Sequence, residues 1–503
     1  MPTFFNIDTF YQFVTKLTQL RPLHKNSLCV ALGTLSAFAL PPLSWPILFF
    51  VGFGGFVTLL ISTTSLKQCF IAAWCWAVGF HLAGLYWISA SLFIDITRYL
   101  WVLPFSLLAL PAYLGLIFGA ACCAVYRLRT KPVIHLIALC VVLALCEHNR
   151  GWLWGGFPWN LFGYIWADTL PIIQSASLFG IKGLTLLTLL AAASFSFVFK
   201  PLDKPAIITL TAIGMVFSGL ALWGVQRLET NQTIYHDKVM LRLVQPAIEQ
   251  SERKTHDQRV AALAKIIRMS AQPAEKPITH IIWPETASPF FLNEDAAARL
   301  ELKPVVPKGG AILTGSASRV IENGQRKYFN SLVVMNDKGS IIGSYDKSHL
   351  VPFGEFVPLR NILQTVPVAV DVIGSGDFTP GTGAKTLRAP GLPPFSTMIC
   401  YEAIFSGQLV DENDRPQLLL QVTNDAWFGN TSGPYQHLAM ARVRAIEEGI
   451  PLIRVANSGV SAVVDPLGRI ITSLDLNKSG IIDSALPKAL ETAPYFTKLQ
   501  HFF

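Results

Sequence analysis

Up to about residue 226 the apolar positions run almost without a break, and from about residue 230 they fall into short bursts separated by polar stretches. In the first region apolar spans occupy residues 27–42, 45–62, 69–93, 100–126, 133–149, 178–198 and 205–225. Each is close to the length of about 20 residues that a helix needs to cross a bilayer. The pattern therefore predicts about seven transmembrane helices over residues 1–228. Pro41, Pro42 and Pro46 interrupt the first two spans and mark either a tight hairpin or a kink. A cleavable leader is not expected, because the apolar stretch that follows Arg21 and Lys25 is much longer than a signal core.

The second region alternates β-rich runs with amphipathic stretches. Strands are expected at 238–244, 280–283, 311–316, 330–335, 340–345, 395–400, 418–423, 453–455 and 461–464, and helices at 257–269 and 435–449. Such alternation predicts a layered α/β fold with a largely buried sheet over residues 229–490. No internal repeat, low-complexity tract or zinc-like spacing interrupts it, and His349 and His437 have no partner at a metal-ligand interval.

Composition sharpens the division. Apolar residues make up 51% of the chain and charged residues only 14%, which excludes an ordinary soluble protein. The net charge of +8 comes without a basic stripe or base-stacking motif, so nucleic acid is not an expected partner. Many cations instead lie between the apolar spans. With the N-terminus in the cytoplasm, the inside segments carry Lys16, Arg21, Lys25, Lys67, Arg127, Arg129, Lys131, Lys200 and Lys204, against Arg98, Arg150 and Lys182 outside. Seven crossings from that start place the α/β region outside the cytoplasm. The segment from Glu147 to Trp159 is rich in tryptophan and glycine, and it suits either an interfacial belt or a lipid-gripping loop in which Arg150 meets a phosphate. His81 and His135 fall inside spans and are further functional candidates.

Candidate chemistry centres on one thiol. Seven of the eight cysteines lie in the first 150 residues, and Cys400 alone belongs to the α/β region, at the end of the run Ser396–Ile399. It is either a small core residue or a nucleophile. Glu285 follows Trp283-Pro284 at another strand end, and Lys347 follows the expected strand at 340–345 and precedes a Pro/Gly loop that holds Glu355. A thiol must lose its proton to attack a carbonyl, a partly buried carboxylate can take it, and a lysine with a backbone N–H can hold an oxyanion. Taken singly, Glu285 also reads as a loop residue, Lys347 as a solvated charge and Cys400 as core.

Together, a strand-end Glu, a Lys and a Cys in this chain order resemble the nitrilase superfamily. Trp283-Pro284-Glu285, the segment Asp346–Pro358, Ile399-Cys400-Tyr401-Glu402, Asn424–Gly429, Gly433–His437, and Arg150-Gly151-Trp152 with Gly156–Trp159 look like the apolipoprotein N-acyltransferase family. The resemblance covers residues 27–490. It implies a polytopic α-helical membrane domain joined to an α/β nitrilase-like αββα sandwich, with Glu285 as base, Lys347 as oxyanion stabiliser and Cys400 as nucleophile. Glu355, Tyr401, Glu402, Trp427 and Arg150 are its implied supporting or substrate-binding residues. The implied reaction is ping-pong transfer of an acyl chain, typically from phosphatidylethanolamine, through a Cys400 thioester to the amine of a diacylglyceryl-cysteine apolipoprotein. It implies no cofactor and no metal, and a place in a bacterial inner membrane with the catalytic domain on the periplasmic side. An amidase, a thioesterase or a non-catalytic lipoprotein-binding protein are the alternatives.

Two departures from the family pattern are visible. Residues 250–254 are polar or charged where the family commonly carries an aromatic. Residues 491–503 form a short tail where it usually has an eighth transmembrane helix, so anchoring is expected to rest on the N-terminal spans, with His501-Phe502-Phe503 dipping into the interface.

Overall fold

A computed structural model of the chain describes residues 7–253, 255–358, 360 and 377–500. The expectations placed on Lys254 and on residues 501–503 lie outside them. The chain divides into two compact units. The first holds the residues up to Arg150, Pro158–Thr230 and Thr431–Ala439; the second holds Gly151–Phe157, Asn231–Asn430 and the chain from Met440 on.

In the first unit five described helices are long and apolar enough to cross a membrane: Leu66–Phe93, Leu100–Ala124, Pro132–Asn149, Ala176–Phe199 and Lys204–Thr230. Two shorter helices, Pro22–Ala37 and Pro46–Ile61, precede them, and Pro41 and Pro42 lie in the turn that separates these two. The interruption is therefore a turn and not a kink. Lipid tails are as apolar as the helices, so packing must come from close backbone approach. A Cβ on Gly33 would lie 2.0 Å from the Trp76 carbonyl oxygen, and one on Gly79 2.2 Å from that of Val30. Trp76 stacks on Phe56, Phe80 and Phe118 in the centre of the unit. The helix Lys204–Thr230 leaves Ile207, Ile208, Met215, Val216 and Leu222 exposed, as a lipid-facing helix requires. Within the same unit Gln436 is buried, and its Oε1 accepts from Trp87 Nε1 (3.1 Å), Trp159 Nε1 (2.9 Å) and Asn160 Nδ2 (3.2 Å).

The second unit contains two six-stranded sheets. The strands are β1 Tyr235–Gln245, β2 His280–Ile282, β3 Ala311–Glu322, β4 Gln325–Asn336, β5 Ile341–Asp346, β6 Thr386–Ala389, β7 Leu392–Ile399, β8 Leu418–Thr423, β9 Leu452–Ala456, β10 Ser461–Val464, β11 Ile470–Leu474 and β12 Gly480–Pro487. Their orders are β12-β1-β2-β3-β4-β5 and β11-β10-β9-β8-β7-β6. Parallel pairing joins β1, β2 and β3 in one sheet and β7, β8 and β9 in the other. Leu241, Leu243, Leu313 and Leu332 of the first sheet share one core with Phe395, Leu420, Ile453 and Val463 of the second. Strands covered on both faces read as unbroken apolar runs, which is why β8 is buried at every position.

Helix His256–Ser270 covers the outer face of the first sheet with Leu263, Ile266 and Met269. It starts at a capping box, in which Thr255 and Gln258 each bond the other's backbone N–H. Helix Gly433–Glu448 stops at Gly449, whose φ of +67° suits a residue without Cβ. The short strands β6, β11 and β12 and the helix Ala296–Leu302 were not apparent in the pattern, whereas β8 and β10 coincide with it. β11 is half exposed along its length, so it carries no apolar run to read.

Candidate active site

The candidate residues come from the carboxyl ends of strands in the second unit. β2 ends at Ile282, and Trp283 and Pro284 lead to Glu285. This turn packs so closely on β3 that a Cβ on Gly315 would lie 2.4 Å from the Thr286 nitrogen and 2.6 Å from the Glu285 Cα. Only glycine fits there. Glu285 is buried; its Oε1 accepts from Asn330 Nδ2 (2.8 Å) and its Oε2 from the Asn424 N–H (2.8 Å).

Lys347 follows β5 and is 1% exposed. Its N–H donates to the Asn330 carbonyl (2.8 Å), which extends the β4–β5 pairing by one residue and fixes the side chain's direction. Nζ lies 2.9 Å from Glu355 Oε2 and 3.7 Å from Glu285 Oε1. Glu355 is itself oriented by the Val351 N–H on Oε2 (2.8 Å). Burial alone would lower the Lys347 pKa, but the charges of Glu355 and Glu285 outweigh it, and the ammonium is held firmly protonated. For Glu285 the balance goes the other way. Burial raises its pKa above the ordinary carboxylate range, Lys347 pulls it down, and the neighbouring Glu355 charge pushes it up again.

Cys400 stands where β7 gives way to a short 3-10 turn, Cys400–Ile404, and has φ +51°. That left-handed backbone costs a non-glycine residue of order 1 kcal/mol or more, and it occurs at sites where the surroundings hold it in place. Gln421 Nε2 bonds the Cys400 carbonyl (3.2 Å), and Arg454 bonds both Gln421 and Asp425. Arg454 and Asp425 form a fully buried ion pair, and Thr423 donates to Asp425 (2.8 Å) while its side chain also reaches the thiol. Burial and then the Glu285 charge raise the thiol pKa, and Lys347 opposes them, so the resting group is the neutral thiol.

Glu402 ties the nucleophile strand to the lysine segment. Its Oε1 accepts from the Tyr345 hydroxyl (2.6 Å), the Ser348 N–H (2.7 Å) and the Ser348 hydroxyl (2.8 Å), and its Oε2 from the Ile399 N–H (2.7 Å). Tyr401 donates its hydroxyl to the Gly156 carbonyl and stacks on Phe157. Both belong to the tryptophan-rich segment, whose residues Gly151–Phe157 fall in this unit. Trp427 lies on the turn after Asn424 and is half exposed.

The structure thus groups Glu285, Lys347 and Glu355, with Cys400 within electrostatic reach of Glu285 and Lys347. Arg150 is elsewhere. It is buried in the first unit, where Nη1 bonds Glu147 (2.9 Å) and His81 Nε2 (3.1 Å) and Nη2 bonds the Trp159 carbonyl. In the structure Arg150 pairs with Glu147 and holds the Trp159 segment to the helices. Sequence reasoning passed over Asn330, Asn424 as a donor to Glu285, and the Arg454–Asp425 pair. Among the described residues no cluster of His, Cys, Asp and Glu is placed to bind a metal.

A buried thiol on a strained turn, with a carboxylate and a lysine at neighbouring strand ends of a two-sheet α/β unit, defines a carbon–nitrogen hydrolase type of site. Residues 240–495 match the carbon-nitrogen hydrolase family and residues 32–194 the apolipoprotein N-acyltransferase N-terminal domain. The apolipoprotein N-acyltransferase of Rhodopseudomonas palustris is 38% identical over 92% of this chain and 89% of its own length. That of Bradyrhizobium diazoefficiens is 36% identical over 93% and 90%. The chain therefore belongs to the apolipoprotein N-acyltransferase family. A solved amidase from Nesterenkonia, 20% identical, covers 51% of this chain and 94% of its own, with a TM-score of 0.35.

Proposed function

We propose that the chain moves an acyl chain from a phospholipid, phosphatidylethanolamine in the first instance, to the N-terminal amine of a diacylglyceryl-cysteine apolipoprotein. The observation that carries this reading is the convergence of three buried side chains at neighbouring strand ends: Cys400 on its left-handed turn after β7, Glu285 after β2, and Lys347 after β5 with Nζ 3.7 Å from Glu285 Oε1. Glu285 takes the thiol proton as Sγ attacks the ester carbonyl. Lys347 and the Tyr401 N–H bind the oxyanion. The tetrahedral intermediate collapses, the ester C–O bond breaks, and the lysophospholipid oxygen leaves with the proton from Glu285. Cys400 then carries the acyl group as a thioester. The incoming amine attacks it and gives its proton to Glu285, and the thiolate departs and is reprotonated.

In this reading residues 1–228 anchor the enzyme in the inner membrane and residues 229–490 work on its periplasmic side. Support for that placement comes from the nine cations of the inside segments against three outside. Both substrates carry acyl chains and lie in a bilayer leaflet, so an anchored catalyst meets them without extracting them. Tyr401, Glu402 and Trp427 serve as wall and support. The test supplies purified protein with labelled phospholipid and a diacylated lipopeptide. The expected product is N-acylated lipopeptide; free fatty acid without it would make the protein a hydrolase and overturn the transfer step.

A further inference from the structure

Asn330 lies inside β4, paired across the sheet with Ala317 of β3 and, through its carbonyl, with the Lys347 N–H. Its side chain is buried, and one nitrogen serves two acids: Nδ2 donates to Glu285 Oε1 and to Glu355 Oε1, each at 2.8 Å. A primary amide has two N–H bonds, and here each goes to a different carboxylate. The Asn330 Oδ1 is buried and has no hydrogen-bond partner among the described residues. Turning the amide over would set that oxygen against two carboxylate oxygens, so the electrostatics of the pair fix its orientation. A buried acceptor left without a donor costs stability, and such groups mark places where function sets the geometry.

Resting on the proposed role of Glu285 as base, we infer that Asn330 is a positioning residue: it clamps Glu285 and Glu355 together through its two amide N–H bonds and aims Glu285 at the thiol. Two carboxylates that share one lysine repel each other, and the repulsion is relieved when one of them takes a proton. A protonated Glu285 cannot accept the thiol proton. Lys347 supplies one positive charge for the two acids, and the two amide N–H bonds supply the remaining stabilisation of the charged forms. The charged or titratable groups that face Glu285 are Lys347 from the end of β5, Glu355 from the following loop, Cys400 from the end of β7 and Arg253 from the segment after β1. None of the last three can replace the amide: Glu355 and a Cys400 thiolate are anionic, and Arg253 bonds the Thr286 carbonyl and Asn457.

The inference reads out in the pH profile. Glu285 works as the carboxylate, so acylation rises with pH through its pKa, and loss of donors to that carboxylate moves the acid limb upward. In Asn330→Leu, which keeps the volume and removes both donors, the acid limb of kcat/KM for Cys400 acylation is expected to move up by about one pH unit. Asn330→Asp keeps the shape, adds a third acid and guards against a folding failure; its limb should move further up, with activity lost at neutral pH and partly regained toward pH 9. Limbs that stay at the wild-type pH in both variants, whatever happens to kcat, would overturn the clamp. Glu285→Gln is measured alongside. If it acylates at the wild-type rate, Glu285 is not the base, and the proposed mechanism and the clamp both fall. If it is inactive while the Asn330 limbs stay in place, only the clamp falls.

Discussion

A buried carboxylate that accepts hydrogen bonds from two separate segments is a strut, and Glu402 shows what that means for single residues. Its two oxygens accept four hydrogen bonds between 2.6 and 2.8 Å, three from the lysine segment and one from the nucleophile strand. Glu402→Gln would bring an amide N–H against groups that are themselves donors. We expect a loss of about 3 kcal/mol or more in stability, read as a lower Tm in detergent, together with loss of activity. A Glu402→Gln protein with wild-type Tm would show that these bonds do not hold the site. Glu285, Lys347 and Cys400 could be picked out from sequence because each follows an apolar run at a strand end, a signal contained in a few residues. Asn330 gives no such signal, since it sits within β4 with ordinary neighbours. Arg454 lies within the short run Leu452–Ala456, and the acid that neutralises it, Asp425, is far away in the chain. The partners of Arg150 are legible only in part: Glu147 is three residues away, but His81 reaches it only through the fold.

At the scale of elements, burial on both faces decided what could be read. β8 is covered throughout and matched the apolar pattern residue for residue, whereas β11 and the edge strand β6 carry too few apolar positions. The helix Gly433–Glu448 was also recognisable, from its stop at Gly449. Its last residue supplies a prediction. Glu448 is buried beside Arg415 (2.9 Å), and burial, partly offset by Arg415 and reinforced by Glu447, pushes its pKa up to about 7. A carboxyl that holds its proton more tightly when folded adds stability that is complete below the ordinary carboxylate pKa of about 4.3 and is lost as pH rises through the folded value. The Tm of the wild type should therefore fall between pH 5 and pH 7.5 by more than that of Glu448→Gln. Parallel curves for the two proteins would contradict the assignment.

At the scale of the whole molecule, composition alone separated an apolar first region from an α/β second region, because hydropathy is a local property. What it could not show is that each compact unit borrows a piece of the other's sequence, Gly151–Phe157 in one direction and Thr431–Ala439 in the other. Those exchanges rest on contacts between distant residues, such as Tyr401 with Gly156 and Gln436 with Trp87. They leave no periodic trace. The family membership and the site geometry meet in one claim, that Cys400 carries the acyl group between donor and acceptor. Intact-mass spectrometry of the protein given phospholipid without acceptor tests it most directly. A hydroxylamine-sensitive acyl adduct should accumulate on the wild type and be absent from Cys400→Ala. An adduct that persists in Cys400→Ala, or none on the wild type while lipopeptide is still acylated, would contradict it.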